Sequence, residues 1–332
     1  MGPVQIHPFT PDDSDDVLAS LEVHNAAAAV DAPWQWPELP TPYTALLRHG
    51  WDGEPERPYL ATVDGRVVGA ASLSLTERDN THLAWLGLTV LPGCRRRGYG
   101  TELFEAMVAE ARQAGRRSVG VDGWDCEGVL AFARKVGLER RSQALQRRQH
   151  LAELEPGRVR RLYDEAAAVA RDYELVRLVG RTPAGMVEAM VDLVSAINDA
   201  PTDDLDIEDE VSTPERLASY EEATLAQGGR LYRLVARHRE TGALGGHTVV
   251  QVEGERPEIG HQHDTAVART HRGHRLGLLL KAGMLLWLAE AEPQLRTVDT
   301  WNAESNGHMI SVNEALGYRV MGREIQFQKT LL

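Results

Sequence analysis

The sequence predicts an α/β protein made twice over, two tandem domains of one design. Three observations carry this expectation. The chain has 332 residues, too long for one ordinary core and about right for two at roughly 100–200 residues per domain. Gly65 and Gly242, Gly69 and Gly246, Arg95 and Arg272, Gly100 and Gly277, and Trp124 and Trp301 all share one spacing of 177 residues, a self-similarity that chance rarely sustains. Around those anchors the same order of elements recurs.

Each half holds a hairpin. Residues 59–63 and 67–75 alternate across Asp64-Gly65, and 231–236 and 243–252 do so across Thr241-Gly242. An apolar strand follows (83–90; 259–267), then a loop containing Arg and Gly, then a helix with apolar residues at helical spacing. Leu103, Met107, Val108 and Ala111 form the inward stripe in the first half (103–114), and Leu279, Gly283, Leu286 and Ala289 form it in the second (278–291). Both halves add a strand (118–121; 297–300), a short helix ending at Gly137 or Gly317, and a last strand; glycine just past the final periodic residue stops a helix. The first half opens with a strand and an acid-capped helix near Thr10-Pro11-Asp12-Asp13, the second with a strand at 173–179 and a helix from Thr182-Pro183. The stretch 151–172, rich in Ala, Arg and Glu, is expected to be a helical linker between domains 1–150 and 173–332.

Composition narrows the function. Hydrophobic residues make up 42% and charged residues 26%, which excludes disordered and collagen-like chains. Lys+Arg 36 against Asp+Glu 49 gives a net charge of -13, repelling a phosphate backbone, so no nucleic-acid partner is expected. No stretch approaches the roughly 18 consecutive apolar residues of a membrane helix, and residues 1–8 lack a basic region followed by an apolar one, so no membrane partner is expected either. The two cysteines, Cys94 and Cys126, are too few for a disulfide framework and suit a reducing compartment; a cytoplasmic monomer or homodimer is expected. Neither cysteine shows a His partner, and such residues more often pack than attack.

The segment from Val90 through Arg95, Arg96, Arg97, Gly98, Tyr99 and Gly100 to Thr101 joins a strand to a helix, so its backbone N–H groups and the positive helix end converge on one point. Glycines at 98 and 100 allow close approach of the main chain, and three arginines add charge to an otherwise acidic protein. A pyrophosphate is the natural ligand; the alternative is a solvated basic turn. The second half repeats the pattern with Thr265, Val267, Arg272, Gly273, His274, Arg275, Leu276, Gly277 and Leu278. There Arg275 stands where the first half has Gly98, which adds charge and costs backbone freedom.

These residues resemble the GNAT superfamily of acyl-coenzyme A transferases, whose signature is Arg or Gln, two residues, Gly, one residue, then Gly or Ala, between the fourth strand and the third helix. Arg95-x-x-Gly98-x-Gly100 matches it fully; the second half keeps Arg272 and Gly277. The resemblance spans nearly the whole chain as a tandem. It implies, in each domain, a mixed, mostly antiparallel sheet flanked by helices, with acetyl-CoA held at one or both loops, including the strand ends at Leu88 to Val90 and Thr265 to Val267. Mutation of Arg272 or Gly277 is then expected to weaken coenzyme A binding.

The family also carries, on its fourth helix, an Asn eleven residues before a Gly-aromatic pair, which bonds the pantetheine arm, and a Tyr four residues before that Gly, which protonates the departing thiolate. Counting back from Gly317 gives Asn306 and Asn313; counting back from Gly137 gives Cys126 and Ala133. The second half thus keeps the binding residue, and both lack the Tyr. Asn313 can donate a hydrogen bond to a thiolate but no proton, leaving protonation to water or Tyr318. A base is also needed, because an alkyl ammonium is no nucleophile until a proton leaves. Members often place it six residues before the last apolar residue of the fourth strand, which gives His261 in the second half and Ala84 in the first. Imidazole suits that task. Asp264, on the opposite strand face by period-two alternation, is the alternative base or an orienter of the amine. His261 with His263 and Asp264 or His271 could be imagined as a metal site, but no further ligand follows at metal spacing, and no metal is expected. The competing role for His261 is a hydrogen-bonded strand histidine.

The expected function is N-acetyltransfer from acetyl-CoA to a primary amine of a small molecule, by direct attack in a ternary complex, with the second half catalytic and the first degenerate. Positioning supplies most of the gain, and the Val267 main-chain N–H would stabilise the oxygen that becomes negative. A non-catalytic coenzyme A-binding module and activity in the first half are the alternatives. Residues 199–210, from Asp199-Ala-Pro onward, place six acids in their last eight positions and border the acceptor cleft in this fold, so they are expected either to attract a cationic amine or to be a solvated loop. The matching Asp31-Ala-Pro-Trp-Gln-Trp36 is aromatic, suited to covering apolar surface or packing between domains.

Overall fold

The structure, a computed structural model, describes residues 2–331. The chain forms two compact units that are not contiguous in sequence: unit 1 is 1–144, 202–209 and 322–332, and unit 2 is 145–201 and 210–321. Unit 1 begins with β1 (Gln5–Pro8), α1 (Ser14–Asp31), α2 (Pro40–His49), β2 (Arg57–Val63), β3 (Arg66–Ser74), β4 (Leu83–Val90), α3 (Tyr99–Gln113), β5 (Ser118–Trp124) and α4 (Glu127–Val136). After β6 (Glu139–His150) come α5 (Arg158–Val169), β7 (Tyr173–Val179), α6 (Val187–Val194), α7 (Pro214–Ala226), β8 (Arg230–His238), β9 (Leu244–Val252), β10 (Ile259–Val267), α8 (Leu276–Ala291), β11 (Thr297–Ala303), α9 (Gly307–Ala315) and β12 (Arg319–Thr330).

The strand order in unit 1 is β1-β2-β3-β4-β5-β12, and in unit 2 it is β6-β11-β10-β9-β8-β7. Each half therefore closes its sheet with the last strand of the other half. From Gly322 onward β12 belongs to unit 1 and runs antiparallel to β5, with Glu324 opposite Trp124 and Gln326 opposite Asp122. The expected division at 150–173 places both last strands on the wrong side, because alternation identifies a strand without naming the strand it pairs with. The linker region does contain a helix, α5, which is part of unit 2.

One pair in each unit is parallel, while β1–β2, β2–β3, β3–β4 and β5–β12 in unit 1 and β7–β8, β8–β9 and β9–β10 in unit 2 are antiparallel. Parallel pairing of β4 with β5 runs from Leu83↔Ser118 to Leu86↔Val121, while β4 continues to Val90. Pairing of β10 with β11 runs from Ile259↔Thr297 to His261↔Asp299, while β10 continues to Val267. Beyond those points the strands part, exposing backbone edges at Leu88 to Val90 and at Thr265 to Val267.

Each sheet is covered on both faces. In unit 1 Leu73, Leu86, Leu103, Met107 and Val119 pack beneath α3 and α4, and Phe9, Val17, Leu21, Tyr43, Leu47 and Leu60 pack beneath α1 and α2. In unit 2 the larger core gathers around α8, and Met190, Leu193, Leu217 and Val235 lie under α6 and α7. Helix α8 departs from its expected single stripe. Twelve of its 16 residues are buried, because Val159, Leu162, Tyr163 and Ala166 of α5 cover a second side. Leu279, Gly283 and Leu286 border a cavity of about 460 Å³ shared with Tyr163 and Ala167, and Ala289 is exposed. No helix among the described residues is long and apolar enough to cross a membrane.

Candidate functional site

Both strand-to-helix loops follow the same backbone path with the glycine in different places. In unit 1 the left-handed residues are Arg96 (φ 63°) and Gly98 (φ 99°), and Gly98 caps α3. In unit 2 they are Gly273 (φ 87°) and Arg275 (φ 56°), and Arg275 caps α8. The conformation a side chain rarely adopts is thus kept at position 275 at a cost of about 1–2 kcal/mol, which marks the path itself as the conserved quantity between the halves. The first-turn amides at Tyr99 and Gly100, and at Leu276, Gly277 and Leu278, have no partner within their helices and aim the positive helix end at the loop mouth. A Cβ added at Gly277 or Gly273 would meet no heavy atom within 4 Å, and one at Gly98 only Glu102 at 3.8 Å. Both mouths have room for a diphosphate, and Arg96, Arg97 and Arg275 stand exposed around them.

The signature arginines are committed elsewhere. Arg95 donates Nε to the Val90 carbonyl at 3.1 Å and both terminal nitrogens to Asp31, at 2.7 and 2.6 Å. Arg272 donates Nε to the Val267 carbonyl at 3.4 Å and Nη2 to Asp199 at 2.6 Å, and Arg269 binds the other Asp199 oxygen at 2.5 Å. The Arg269 hydrogen bond, reinforced by both positive charges, holds the Asp199 carboxyl below the usual carboxylate range. Thr101 accepts a hydrogen bond from Lys135, Thr265 shares one with Thr248, and His274 lies 5.5 Å from the Tyr173 ring.

In unit 2, β10 carries a bulge that the alternation could not reveal. Its register against β9 shifts between Gln262 and Thr265, so that Gln262 pairs with Val250 and Thr265 with Thr248. Asp264 therefore does not take the opposite face from His261. It lies in the bulge within electrostatic reach of Tyr220 and Arg233, and desolvation raises its carboxyl pKa against the Arg233 charge. His261 Nε2 meets Glu253 at 2.7 Å. Burial pushes the Glu253 carboxyl up, but its bonds to His261 and Arg256 outweigh that and hold it low. His263 Nδ1 shares a 2.6 Å hydrogen bond with Tyr220, and desolvation, helped by His261 and Arg233, lowers its pKa to about 3. An imidazole depressed that far accepts a proton poorly at neutral pH.

In unit 1 the structure assembles a site that the sequence argument missed. Where β4 and β5 part, the Trp85 indole N–H donates to Asp122 at 2.5 Å, and Gln326 also bonds that carboxylate. Glu324 sits diagonally across the β5–β12 ladder on the same face. Desolvation raises Asp122 to about 6 and, with the Asp122 charge added, Glu324 to about 8. Burial raises Glu56 as well. Asp122 and Glu56 are nevertheless exposed and Glu324 is half-buried, so solvent reaches these carboxyls. Trp34 stands edge-on against Trp124, ring centres 5.2 Å apart, and Trp124 lies beside Asp122 in the sequence and opposite Glu324 on the β5–β12 ladder. A signal for Asp122 existed: Asp122 and Asp299 carry the same 177-residue spacing as the five anchor pairs.

The residues 202–209 belong to unit 1. The Glu208 carboxylate accepts from the Asn80 N–H at 2.7 Å, Gln328 and the Asp206 N–H are joined at 2.8 Å, and Ser142 donates to Asp203 at 2.6 Å. Those partners fix a segment that like charges alone would leave extended.

Residues 24–138 match the model of the acetyltransferase (GNAT) family. A tandem GNAT protein from the clavulanic acid biosynthesis pathway, solved without acetyl-CoA, is 29% identical, with 99% of this chain and 98% of that one covered and a TM-score of 0.82. Residues 24–138 thus carry a GNAT-family domain, and the whole chain is similar in fold to a tandem GNAT protein. A GCN5-related N-acetyltransferase from Sphaerobacter thermophilus (17% identity, 99% and 97% covered, TM-score 0.68) and one from Kribbella flavida (15%, 99% and 71%, 0.54) share the fold. No curated protein matches the chain. The GNAT fold supports acetyl transfer and places the protein with the acyltransferases.

The positions that correspond to the family's fourth helix have distinct surroundings in this chain. Asn306 caps α9, its Oδ1 accepting from the Met309 N–H at 3.1 Å, which leaves its amide nitrogen for a ligand. Asn313 is fully buried, donates to Asn302 at 2.5 Å and keeps an orphaned Oδ1. Tyr318 is buried, 5.0 Å from the Lys281 ammonium, and burial raises its pKa. Cys94 and Cys126 are free thiols.

Proposed function

We propose that the protein is an N-acetyltransferase that moves the acetyl group of acetyl-CoA to a primary amine of a small molecule in a ternary complex, and that unit 1 performs the proton transfer. The observation that carries this reading is the carboxyl pair at the β4–β5 split, where desolvation raises Asp122 to about 6 and Glu324 to about 8, in the unit whose loop matches the family signature in full. Acetyl-CoA, when bound, supplies the activated acyl group. The amides of Tyr99 and Gly100, with Arg96 and Arg97, would hold its diphosphate, and the free β4 edge at Leu88 to Val90 its arm.

The Asp122–Glu324 pair then takes the proton from an incoming ammonium. A base with a pKa near the working pH combines the right protonation state with adequate basicity, and the shared negative charge draws the cation in. Trp85 orients Asp122 through its N–H, and Trp34 and Trp124 form the wall of an acceptor recess beside it. In unit 2 the equivalent Asp299 lies in a buried ion pair with Arg148 at 2.6 and 2.7 Å and accepts from Gln146. Both of its oxygens are taken up by Arg148, which supports assigning the chemistry to unit 1 over the second-half site expected from Asn306 and His261.

Thiol release from acetyl-CoA across a panel of small amines tests the proposal. Amine-dependent turnover that disappears in Asp122→Asn and persists in Asp299→Asn supports it. Tight coenzyme A binding with no turnover on any amine would instead favour the non-catalytic module.

A further inference from the structure

Both halves tie the signature arginine into the same arrangement. Arg95 bonds the strand-end carbonyl of Val90 and grips both oxygens of Asp31; Arg272 bonds the strand-end carbonyl of Val267 and one oxygen of Asp199. A guanidinium has five N–H donors in a rigid planar fork, and Arg95 commits three of them away from the loop mouth. Each aspartate ends a helical segment, α1 or the 3-10 turn Ser195–Asp199, and opens an identical Asp-Ala-Pro.

The chain beyond that tripeptide differs between the halves. In unit 1, Trp34 lies three residues past Asp31 and packs on Trp124, itself two residues past Asp122. Trp34 and Trp124 also fill the space above Gly322, where an added Cβ would lie 2.2 and 2.8 Å from their rings. A continuous set of contacts thus runs from the phosphate loop through Arg95, Asp31 and Trp34 to the wall of the recess. In unit 2, the residues after Pro201 leave for unit 1.

We propose that Asp31 is a positioning residue: it holds Arg95 as a strut between the phosphate loop and the aromatic segment 32–39, so that coenzyme A in the loop orders the wall of the acceptor recess. The amides, not the Arg95 side chain, then bear the diphosphate in unit 1. Asp199 keeps the strut in unit 2 without an acceptor wall beyond it. The inference rests on reading the loop as a coenzyme A cradle and the recess as the acceptor site.

Hydrogen exchange with and without coenzyme A tests it, using protection of residues 95–101 to report occupancy of the first loop. In the wild type, coenzyme A is expected to slow exchange at 32–39 by tenfold or more. Asp31→Asn should bind within threefold of wild type at 95–101 yet lose the protection at 32–39, Asp31→Glu should restore most of it, and Asp199→Asn should leave 32–39 responding as in wild type. Protection at 32–39 that survives in Asp31→Asn, or a tenfold loss of affinity at 95–101 with the 32–39 response unchanged per bound ligand, overturns the proposal. If Asp31→Asn does not fold, Arg95→Lys, which keeps the charge but not the fork, is judged by the same two results. Absence of coenzyme A binding to the wild type defeats the cradle reading itself, whereas binding without any response at 32–39 defeats only the strut.

Discussion

Asp122 and Asp299 occupy the same place in two copies of one fold and have opposite electrostatic fates. Each sits on the strand that parts from its parallel neighbour, and each accepts from a glutamine on the exchanged last strand, Gln326 or Gln146. Around Asp122 the other donor is the neutral indole of Trp85; desolvation, with the Glu56 charge added, outweighs the hydrogen bonds from Trp85 and Gln326 and raises its pKa to about 6. Around Asp299 the exchanged strand brings Arg148, whose fork meets both carboxylate oxygens in a pocket where each side chain is 5% exposed. One substitution of environment separates a carboxyl with a raised pKa from a buried ion pair.

Replacement of the two aspartates gives the sharpest contrast. Asp122→Asn is expected to lower amine-dependent thiol release by about a hundredfold or more, the range of a lost general base, with little change in unfolding. Asp299→Asn should do the reverse. It strands a buried guanidinium and should destabilise unit 2 by about 3 kcal/mol, read from urea unfolding, while turnover per folded molecule is maintained. Equal loss of turnover in both variants would remove the distinction between the halves.

The pH dependence sharpens the comparison further. The folded state keeps protons on Asp122 and Glu324 at pH values where unfolded carboxyls, near 4, have lost them. The stability these groups contribute is therefore full below about pH 4 and is lost as pH rises through about 6 and then about 8. Thermal unfolding should show wild type falling relative to Glu324→Gln between pH 4 and pH 8, while turnover rises over the same window as the pair deprotonates. A flat difference between the two proteins would show that Glu324 ionises normally. The smallest effect concerns the loops. Arg275→Gly should stabilise unit 2 by about 0.5–1 kcal/mol, because relief of left-handed strain exceeds the added freedom of the unfolded chain; destabilisation would mean that the Arg275 side chain makes contacts worth more than the strain.

Much of this was legible from residue spacing. The hairpins, the split strands and the loop glycines follow from alternation, helical periodicity and the 177-residue repeat, because those signals are local or copied within the chain. The carboxyl cluster was not, since Glu324 and Gln326 reach Asp122 only through the exchange of β12, a pairing that no local pattern encodes. The bulge at His263 and Asp264 was hidden for a related reason: one inserted residue reverses the side-chain alternation without altering the apolar pattern that predicts the strand. The family motif points to His261 and Asn306 in unit 2, where His261 meets Glu253 and Asn306 caps α9.

The exchange of last strands also governs how the molecule is made. During synthesis β5 emerges near the start of the chain, and its hydrogen-bonding edge has no native cover until residues 322–330, at the far end, leave the ribosome. For that interval the first half presents an unpaired strand to its surroundings, the kind of edge that templates aggregation. A gene fragment cut at the midpoint would make the exposure permanent, so the two halves, once separate copies, are now bound to a single translation product.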